Sequence, residues 1–158
     1  MNIDKFVEDF LSSLQFNPYF FFSFYFLFYI LFLFYPIYLY ISGNKKELRK
    51  IFIAIIIGFL IIALFKFIFK RERPENSLLK KIDYSFPSSH AYFSFLFLIS
   101  SIKTTVFIIV FFLSFLSIIS LLFLLVHHLT DILFSIFLAI VIYKLVDKFF
   151  ERITKEKK

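Results

Sequence analysis

Residues 51–69 read IFIAIIIGFLIIALFKFIF, a continuous apolar stretch in which Lys66 is the one charged side chain. Its length matches the approximately 20 residues that an α-helix needs to cross the hydrocarbon core of a bilayer. Helix is favoured there because lipid offers no partners for backbone polar groups. The stretch therefore predicts a membrane-spanning helix. It also makes Lys66 a functional candidate, because a charge at membrane depth is costly unless it snorkels to the interface or has a role.

Four other apolar stretches accompany this one and define the fold class. They cover residues 18–40, 87–101, 106–126 and 131–146, with a turn predicted around Lys103. The chain has 158 residues and is 61% hydrophobic, which is more than a soluble domain of this size can bury. We therefore predict an all-α, multi-pass transmembrane helical bundle of about five spans.

The N-terminal residues have a different pattern. Residues 3–15 place apolar side chains at helical spacing, with charged ones opposite, which is typical of a helix lying in the membrane interface. The acidic start and the lack of a small-residue cleavage site argue against a cleaved signal peptide. The expected division is an interfacial amphipathic helix at 1–16, a transmembrane domain at 17–150 and a basic cytoplasmic tail at 151–158.

The chain has a net charge of +7, and the distribution of its Lys and Arg residues indicates how it is oriented in the membrane. The 42–50 loop, Lys103 and the residues from Lys144 onward carry eleven Lys and Arg residues, against seven in the N-terminal helix, the 70–86 loop and position 66 taken together. Such an excess marks the cytoplasmic side. We expect a cell-membrane protein whose 70–86 loop and His127 face outward. No nucleic-acid module is visible, and the lack of Cys excludes disulfides and thiolate metal sites.

Two polar groups mark the ends of predicted spans. Lys66 and Arg73 are two helical turns apart on one face if the helix continues. Pro87-Ser88-Ser89-His90 precedes an apolar run, as a helix N-terminus does, and free N–H groups at such a terminus favour phosphate. Each group also has a plainer interpretation. The two cations fit a basic membrane edge, and the serines fit an ordinary helix cap.

A third polar group is His127-His128-Leu129-Thr130-Asp131. His127 and Asp131 share a face if the segment is helical, and a carboxylate so placed fixes the tautomer of an imidazole and stabilises its cation. A structural His–Asp pair and a metal site of His127, His128 and Asp131 are the alternatives. His90 and His127 can act together only if the chain reverses between the third and fourth spans, since one continuous helix would separate them by roughly 55 Å.

The order and spacing of these residues resemble the motifs of the type 2 phosphatidic acid phosphatase superfamily. Its first motif is Lys, six residues and Arg-Pro, which is matched by Lys66, Arg73 and Pro74. Its second, Pro-Ser-Gly-His, reads Pro87-Ser88-Ser89-His90 here, with Ser89 in place of Gly.

The third motif of that superfamily is Ser-Arg, five residues, His, three residues and Asp. It reads Ser120-Leu121 followed by His127 and Asp131, so that Leu121 replaces the Arg. The resemblance covers about residues 50–147. It implies a phosphatase fold of membrane helices and a membrane-embedded lipid phosphate as the substrate, with no metal or cofactor required.

The resemblance also implies a role for each matched residue. His127 would attack phosphorus and form a phosphohistidine, Asp131 would orient His127, and His90 would protonate the leaving group. The phosphoryl oxygens would be held by Lys66, Arg73, Ser88 and the backbone at Ser89. Positioning and charge neutralisation of this kind suit phosphoryl transfer.

The function implied is a membrane-embedded phosphatase that hydrolyses a lipid phosphate or diphosphate, such as a polyprenyl diphosphate or phosphatidic acid. Loss of the Arg at Leu121 favours a non-catalytic or weakly active lipid-phosphate-binding relative, while a lipid phosphotransferase would use the same phosphohistidine. Four basic residues are candidates to replace the missing Arg: Lys70, Arg71, Lys80 and Lys81. The sequence does not specify an oligomeric state.

Overall fold

The computed structural model describes residues 3–14, 16–79 and 82–156, and the regular structure in these ranges is entirely α-helical. Its helices are α1 (Ile3–Ser13), α2 (Pro18–Ile41), α3 (Lys45–Phe69), α4 (Ser89–Ser101), α5 (Phe107–Phe123) and α6 (Leu129–Glu156). By length and composition α2, α3 and α6 can cross a membrane. The apolar helix α5 has 17 residues and α4 has 13. The predicted all-α membrane bundle is confirmed, although α4 and α5 are shorter than a full crossing.

Side-chain caps determine where two of the long helices begin. Asn17 accepts a hydrogen bond from the amide of Tyr19, and Pro18 occupies the first turn of α2. Asn44 accepts from the amide of Glu47, so α3 begins at Lys45 and not near residue 51 as predicted. The last helix, α6, extends beyond its predicted range of 131–146 at both ends. It includes most of the segment expected to form a separate tail.

The short helix α4 lies inside the bundle, in contact with α2, α3, α5 and α6. Tyr92, Leu96 and Phe97 are fully buried in these contacts. The chain reverses at residues 102–106, as predicted, and α5 returns against α4. The start of α4, which carries His90, therefore lies at the same end of the bundle as the end of α5, which leads to His127.

Small residues allow α4 to pack closely against its neighbours. Ser114 Oγ donates to the carbonyl of Ser94 at 2.9 Å, a contact typical of packed membrane helices. Gly58 faces Tyr92 so closely that a Cβ at residue 58 would lie 2.2 Å from Tyr92 Cζ. The hydroxyl of Tyr92 donates to the carbonyl of Ala54 at 2.8 Å. These contacts fix α4 against α3 and α5.

The charged contacts lie at the two ends of the bundle, in the groups that the topology prediction used. At one end, Lys50 pairs with Glu47 at 3.0 Å and with Asp147 at 2.5 Å. These three residues line a cavity together with Lys103. At the other end, α1 packs against α5 and α6 and contacts the loop between α3 and α4. The second end holds the residues singled out for chemistry.

Candidate active site

His127 lies in the connection between α5 and α6, where it is almost fully buried. Its Nδ1 is 2.8 Å from the carbonyl oxygen of Ser85, and its Nε2 is 3.3 Å from Nη1 of Arg73. A carbonyl only accepts hydrogen bonds and a guanidinium only donates them. Both neighbours therefore favour the tautomer with the proton on Nδ1 and the lone pair on Nε2, directed at the cationic side of the site.

The protonation state of His127 follows from its surroundings. Burial lowers the pKa of His127 to about 4; the Arg73 guanidinium acts in the same direction and Asp131 opposes it. The ring is therefore neutral at physiological pH, as a nitrogen nucleophile must be. The sequence pattern identified this residue but gave no sign of its Ser85 partner, because any residue can supply a backbone carbonyl.

Asp131 is fully buried in the first turn of α6. Its Oδ2 lies 3.7 Å from His127 Nδ1 and accepts from the amide of His128 at 3.1 Å. At this distance Asp131 acts on the imidazole mainly through its charge, while Ser85 makes the direct hydrogen bond. His127 and Asp131 thus lie close together as predicted, although His127 precedes the first residue of α6. The Ser85 carbonyl is the nearer acceptor for Nδ1 of His127.

Lys66 and Arg73 converge on the same point from the end of α3 and from the following loop. Lys66 Nζ donates to the carbonyl of Tyr84 at 2.7 Å. Arg73 donates from Nε to the carbonyl of Asp83 at 3.0 Å and from Nη1 to the carbonyl of Val126 at 2.6 Å. The side chains of Lys66 and Arg73 are 15% and 8% exposed, respectively. Backbone carbonyls therefore hold both cations in place.

Asp83 bridges these two cations, and sequence reasoning did not single it out. Its carboxylate accepts from Lys66 Nζ through Oδ2 and from Arg73 Nη2 through Oδ1 at 2.7 Å. Burial opposes ionisation of Asp83, but hydrogen bonds from Lys66 and Arg73 lower its pKa to about 2. It is therefore an anion that lies between the two cations predicted to bind phosphate.

The start of α4 contributes the second motif. Ser88 is fully buried; its Oγ caps the helix by accepting from the amide of Ala91 at 3.4 Å, and its own amide donates to Ser135 Oγ at 2.8 Å. Ser135 in turn donates to the carbonyl of Asp131 at 2.6 Å. Ser88 therefore joins α4 to α6, the helix of Asp131. Its hydroxyl oxygen and its amide both form hydrogen bonds within the protein. Ser89 is half-buried in the first turn.

His90 occupies an aromatic environment one residue further along α4. Its ring centroid lies 4.6 Å from that of Tyr25, in a stacked arrangement, and 4.0 Å from that of Phe28. Both aromatic residues belong to α2, so this helix positions the ring. Ser89 and His90 line part of an apolar groove of about 530 Å³ between α2, α3 and α4.

Comparison with known proteins identifies the family. A model of the PAP2 superfamily matches residues 47–155, more than half of the chain. The chain belongs to the PAP2 superfamily. A comparison with curated proteins gives no match.

Two solved structures share the fold of this PAP2 protein at low sequence identity. One is a transmembrane PAP2-type phosphatidylglycerolphosphate phosphatase from Bacillus subtilis, with a TM-score of 0.75, 20% identity and coverage of 95% of this chain and 85% of that one. The other is LpxE from Aquifex aeolicus, with a TM-score of 0.75, 22% identity and coverage of 92% of both chains.

Leu121 stands where the resemblance places the motif arginine of the PAP2 superfamily. Its side chain is fully buried in an apolar cluster with Ala91, Val126 and Ile132. Of the candidates to replace that arginine, Lys70 lies over the ring of Phe67 with its Nζ 5.5 Å from the centroid, while Lys80 and Lys81 lie outside the described residues. The last candidate, Arg71, contacts carboxylates elsewhere in the site.

Arg71 links the candidate site to α1. Its Nη1 donates to Asp131 Oδ1 at 2.6 Å and to Thr130 Oγ1 at 2.7 Å, and its Nη2 donates to Asp4 Oδ2 at 2.6 Å. Burial opposes ionisation of Asp4, but hydrogen bonds from Thr130 and Arg71 lower its pKa. Arg71 thus stabilises two carboxylates, and both of its terminal nitrogens are engaged in doing so.

His128 belongs to this same junction. Its Nδ1 contacts the Glu8 carboxylate, and its Nε2 donates to the carbonyl of Glu72 at 3.0 Å. The metal-site interpretation required this ring to turn toward His127 and Asp131. Among the described residues, no group of three or more His, Asp or Glu side chains has the geometry to hold a metal ion.

Proposed function

We propose that this PAP2 protein is a membrane phosphatase that removes a phosphoryl group from a lipid phosphate or diphosphate through a phosphohistidine at His127. The observation that carries the proposal is the orientation of His127. Its Nδ1 is bound to the Ser85 carbonyl, and its Nε2 faces Arg73 beside Lys66. A buried neutral imidazole with its lone pair toward two cations is suited to attack an anionic phosphoryl group.

The proposed reaction has two steps. In the first, Nε2 of His127 attacks phosphorus while the bond to the lipid oxygen breaks, and His90 donates a proton to that oxygen. Lys66 and Arg73 stabilise the charge that develops on the phosphoryl oxygens, and Asp131 stabilises the cationic ring. In the second step water attacks the phosphohistidine, its proton passes to His90, and orthophosphate leaves. Both steps depend on positioning and charge neutralisation.

The apolar groove supports a lipid as the substrate. It is lined along α2 and α3 by Phe28, Phe32, Ile56 and Phe59, and His90 lines it from the first turn of α4. A hydrocarbon chain lying in the groove would place its head group at the start of α4, near the proposed general acid. Apolar lining with a few polar groups at one end is the usual character of a small-molecule site.

One solved relative and the charge distribution bear on the substrate and on the orientation of the proposed enzyme. The Bacillus subtilis relative is described as a phosphatidylglycerolphosphate phosphatase, which supports phosphatidylglycerophosphate as a candidate substrate beside polyprenyl diphosphate and phosphatidic acid. The excess of Lys and Arg at the opposite end of the bundle supports an active site on the outer face of the cell membrane. This orientation agrees with a substrate delivered from the bilayer.

Phosphate release by the detergent-purified full chain tests the proposal. Lipid monophosphates and diphosphates would be compared with and without EDTA, in the wild type and in His127→Ala. We expect release that survives EDTA and disappears in the variant. Incubation with a lipid carrying ³²P should trap acid-labile label on the wild type. Release that persists in His127→Ala would contradict the proposed nucleophile.

A second candidate function is lipid-phosphate binding without turnover, which the burial of Leu121 favours. A single missing donor of this type typically costs about 10²–10³ in rate. Lipid binding that is lost in Lys66→Met, without phosphate release from any lipid, would support this alternative. A phosphotransferase would instead form a labelled lipid when an acceptor alcohol is supplied.

A further inference from the structure

Asp83 is held by the two cations that the proposed reaction assigns to the phosphoryl group. Both ion pairs that the described residues form with Lys66 and Arg73 involve this one carboxylate. A carboxylate and a phosphoryl group are both oxygen anions that accept hydrogen bonds from Lys and Arg. The two therefore compete for the same donors.

The carboxylate is not what holds the cations in place. Lys66 has the Tyr84 carbonyl at 2.7 Å, and Arg73 has the carbonyls of Asp83 and Val126 at 3.0 and 2.6 Å. These acceptors are main-chain atoms and do not depend on the side chain at position 83. Loss of the Asp83 carboxylate would leave both cations anchored and free to bind another anion.

Asp83 is also the most exposed member of the group. Its side chain is 54% exposed, whereas those of Lys66 and Arg73 are 15% and 8% exposed. An exposed carboxylate on a loop can turn toward water at little cost, because water solvates its charge there. A buried cation cannot leave in the same way, so displacement of the carboxylate by an incoming anion is the accessible change.

We propose that Asp83 is the resting occupant of the phosphate site, displaced when a phosphoryl group binds to Lys66 and Arg73 and returning to expel orthophosphate. The inference rests on the proposed function for the identity of the incoming anion. It assigns a role to a residue outside the three motifs. It also makes Asp83 a determinant of affinity, because binding a phosphoryl group requires breaking two existing ion pairs.

Orthophosphate binding, measured by isothermal titration calorimetry on the detergent-purified full chain, tests this role without requiring turnover. Asp83→Asn keeps the shape of the side chain and removes the competing charge. We expect it to tighten orthophosphate binding by about tenfold or more, which corresponds to about 1.4 kcal/mol. Asp83→Glu retains the charge and should bind orthophosphate as the wild type does.

Glu75→Gln is the matched control, since Glu75 is an exposed carboxylate of the same loop. It lines a cavity together with Arg73, but the ion pairs that the described residues form with Lys66 and Arg73 do not include it. It should leave orthophosphate binding within about twofold of wild type, because the charge of an exposed carboxylate that is not paired with these cations is screened by water and salt. Lys66→Met should abolish the gain seen in Asp83→Asn, which locates the bound anion. Unchanged or weaker binding in Asp83→Asn would overturn the proposal, as would an equal gain in Glu75→Gln.

The lipid assay separates this inference from the proposed function. Lipid hydrolysis by the wild type with no gain in orthophosphate affinity in Asp83→Asn would reject the role of Asp83 and retain the phosphatase. Tighter orthophosphate binding in Asp83→Asn without hydrolysis of any lipid would reject the phosphatase and retain the competition at the anion site. Thermal unfolding of each variant verifies that it is folded.

Discussion

Arg71 Nη1 lies 2.6 Å from Oδ1 of Asp131, and the same guanidinium reaches Asp4 from its other terminal nitrogen, also at 2.6 Å. Asp131 is fully buried, and a buried carboxylate needs a partner to remain charged. The position of Asp131 beside His127 therefore depends on a loop residue that belongs to none of the three motifs. Through Asp4, it depends on α1 as well.

Replacing Arg71 should impair both stability and turnover. In Arg71→Met a buried carboxylate loses its cation, which costs about 3 kcal/mol or more and lowers the unfolding temperature by roughly 6–12 °C for a chain of this size. We expect the rate of phosphate release to fall by roughly 10- to 100-fold, because the His127–Asp131 geometry loosens. Unfolding in detergent and initial rates measure the two effects.

Orthophosphate binding distinguishes a positioning role for Arg71 from direct contact with the phosphoryl group. Both terminal nitrogens of Arg71 are engaged by Asp4 and Asp131. Arg71→Met should therefore leave the contacts of Lys66 and Arg73 in place and bind orthophosphate within about twofold of the wild type. Arg49→Met, which removes an exposed cation, should change neither rate nor stability appreciably. A collapse of orthophosphate affinity in Arg71→Met would show that Arg71 replaces the motif arginine after all.

The tautomer of His127 can be observed directly. The chain has three His residues, so ¹⁵N-histidine labelling gives few signals, and His127→Ala assigns the one of interest. We expect a neutral ring with its proton on Nδ1 from pH 6 to 8. Because burial lowers the pKa of His127 to about 4, protonation should begin only as the pH falls toward that value. A midpoint near 6.5, or a proton on Nε2, would contradict the proposed nucleophile.

Restoring the motif arginine should be harmful. Leu121 is fully buried among apolar side chains, so Leu121→Arg places a charge in an apolar cluster, at a cost of several kcal/mol. We expect a lower unfolding temperature and no increase in phosphate release. Leu121→Met nearly conserves volume and should cost less than about 1.5 kcal/mol. A stable Leu121→Arg protein with faster turnover would show that the position remains open to the site.

The sequence indicated those members of the candidate site that differ most from their apolar neighbours. Lys66 interrupts an apolar helix, and His127 and Asp131 stand between two apolar spans, so each attracts attention as a polar group at membrane depth. The helices could be predicted because a long apolar run in lipid has few alternatives to helix. The reversal before α5 then brought the motifs to one end.

The parts that sequence could not show are defined by contacts between distant segments. The Ser85 carbonyl that holds His127 has no sequence signature, and Asp83 resembles any acidic residue of a polar loop. The early start of α3 depends on a cap at Asn44, in a segment predicted to be part of the 42–50 loop. Arg71 was considered only as a substitute for the motif arginine, because its pairing with Asp4 spans 67 residues of sequence.

The close contact between Gly58 and Tyr92 should make α3 intolerant of even one added methyl group. In Gly58→Ala the new Cβ would lie 2.2 Å from Tyr92 Cζ, so the ring must move and its hydrogen bond to Ala54 must weaken. Overpacking of this kind costs about 1–3 kcal/mol. Because Tyr92 is two residues from His90 on α4, we also expect a lower rate of phosphate release. The double variant Gly58→Ala/Tyr92→Leu makes room for the methyl group and should recover part of the stability that Gly58→Ala loses. Equal unfolding temperatures for Gly58→Ala and the wild type would show that α3 and α4 can separate freely.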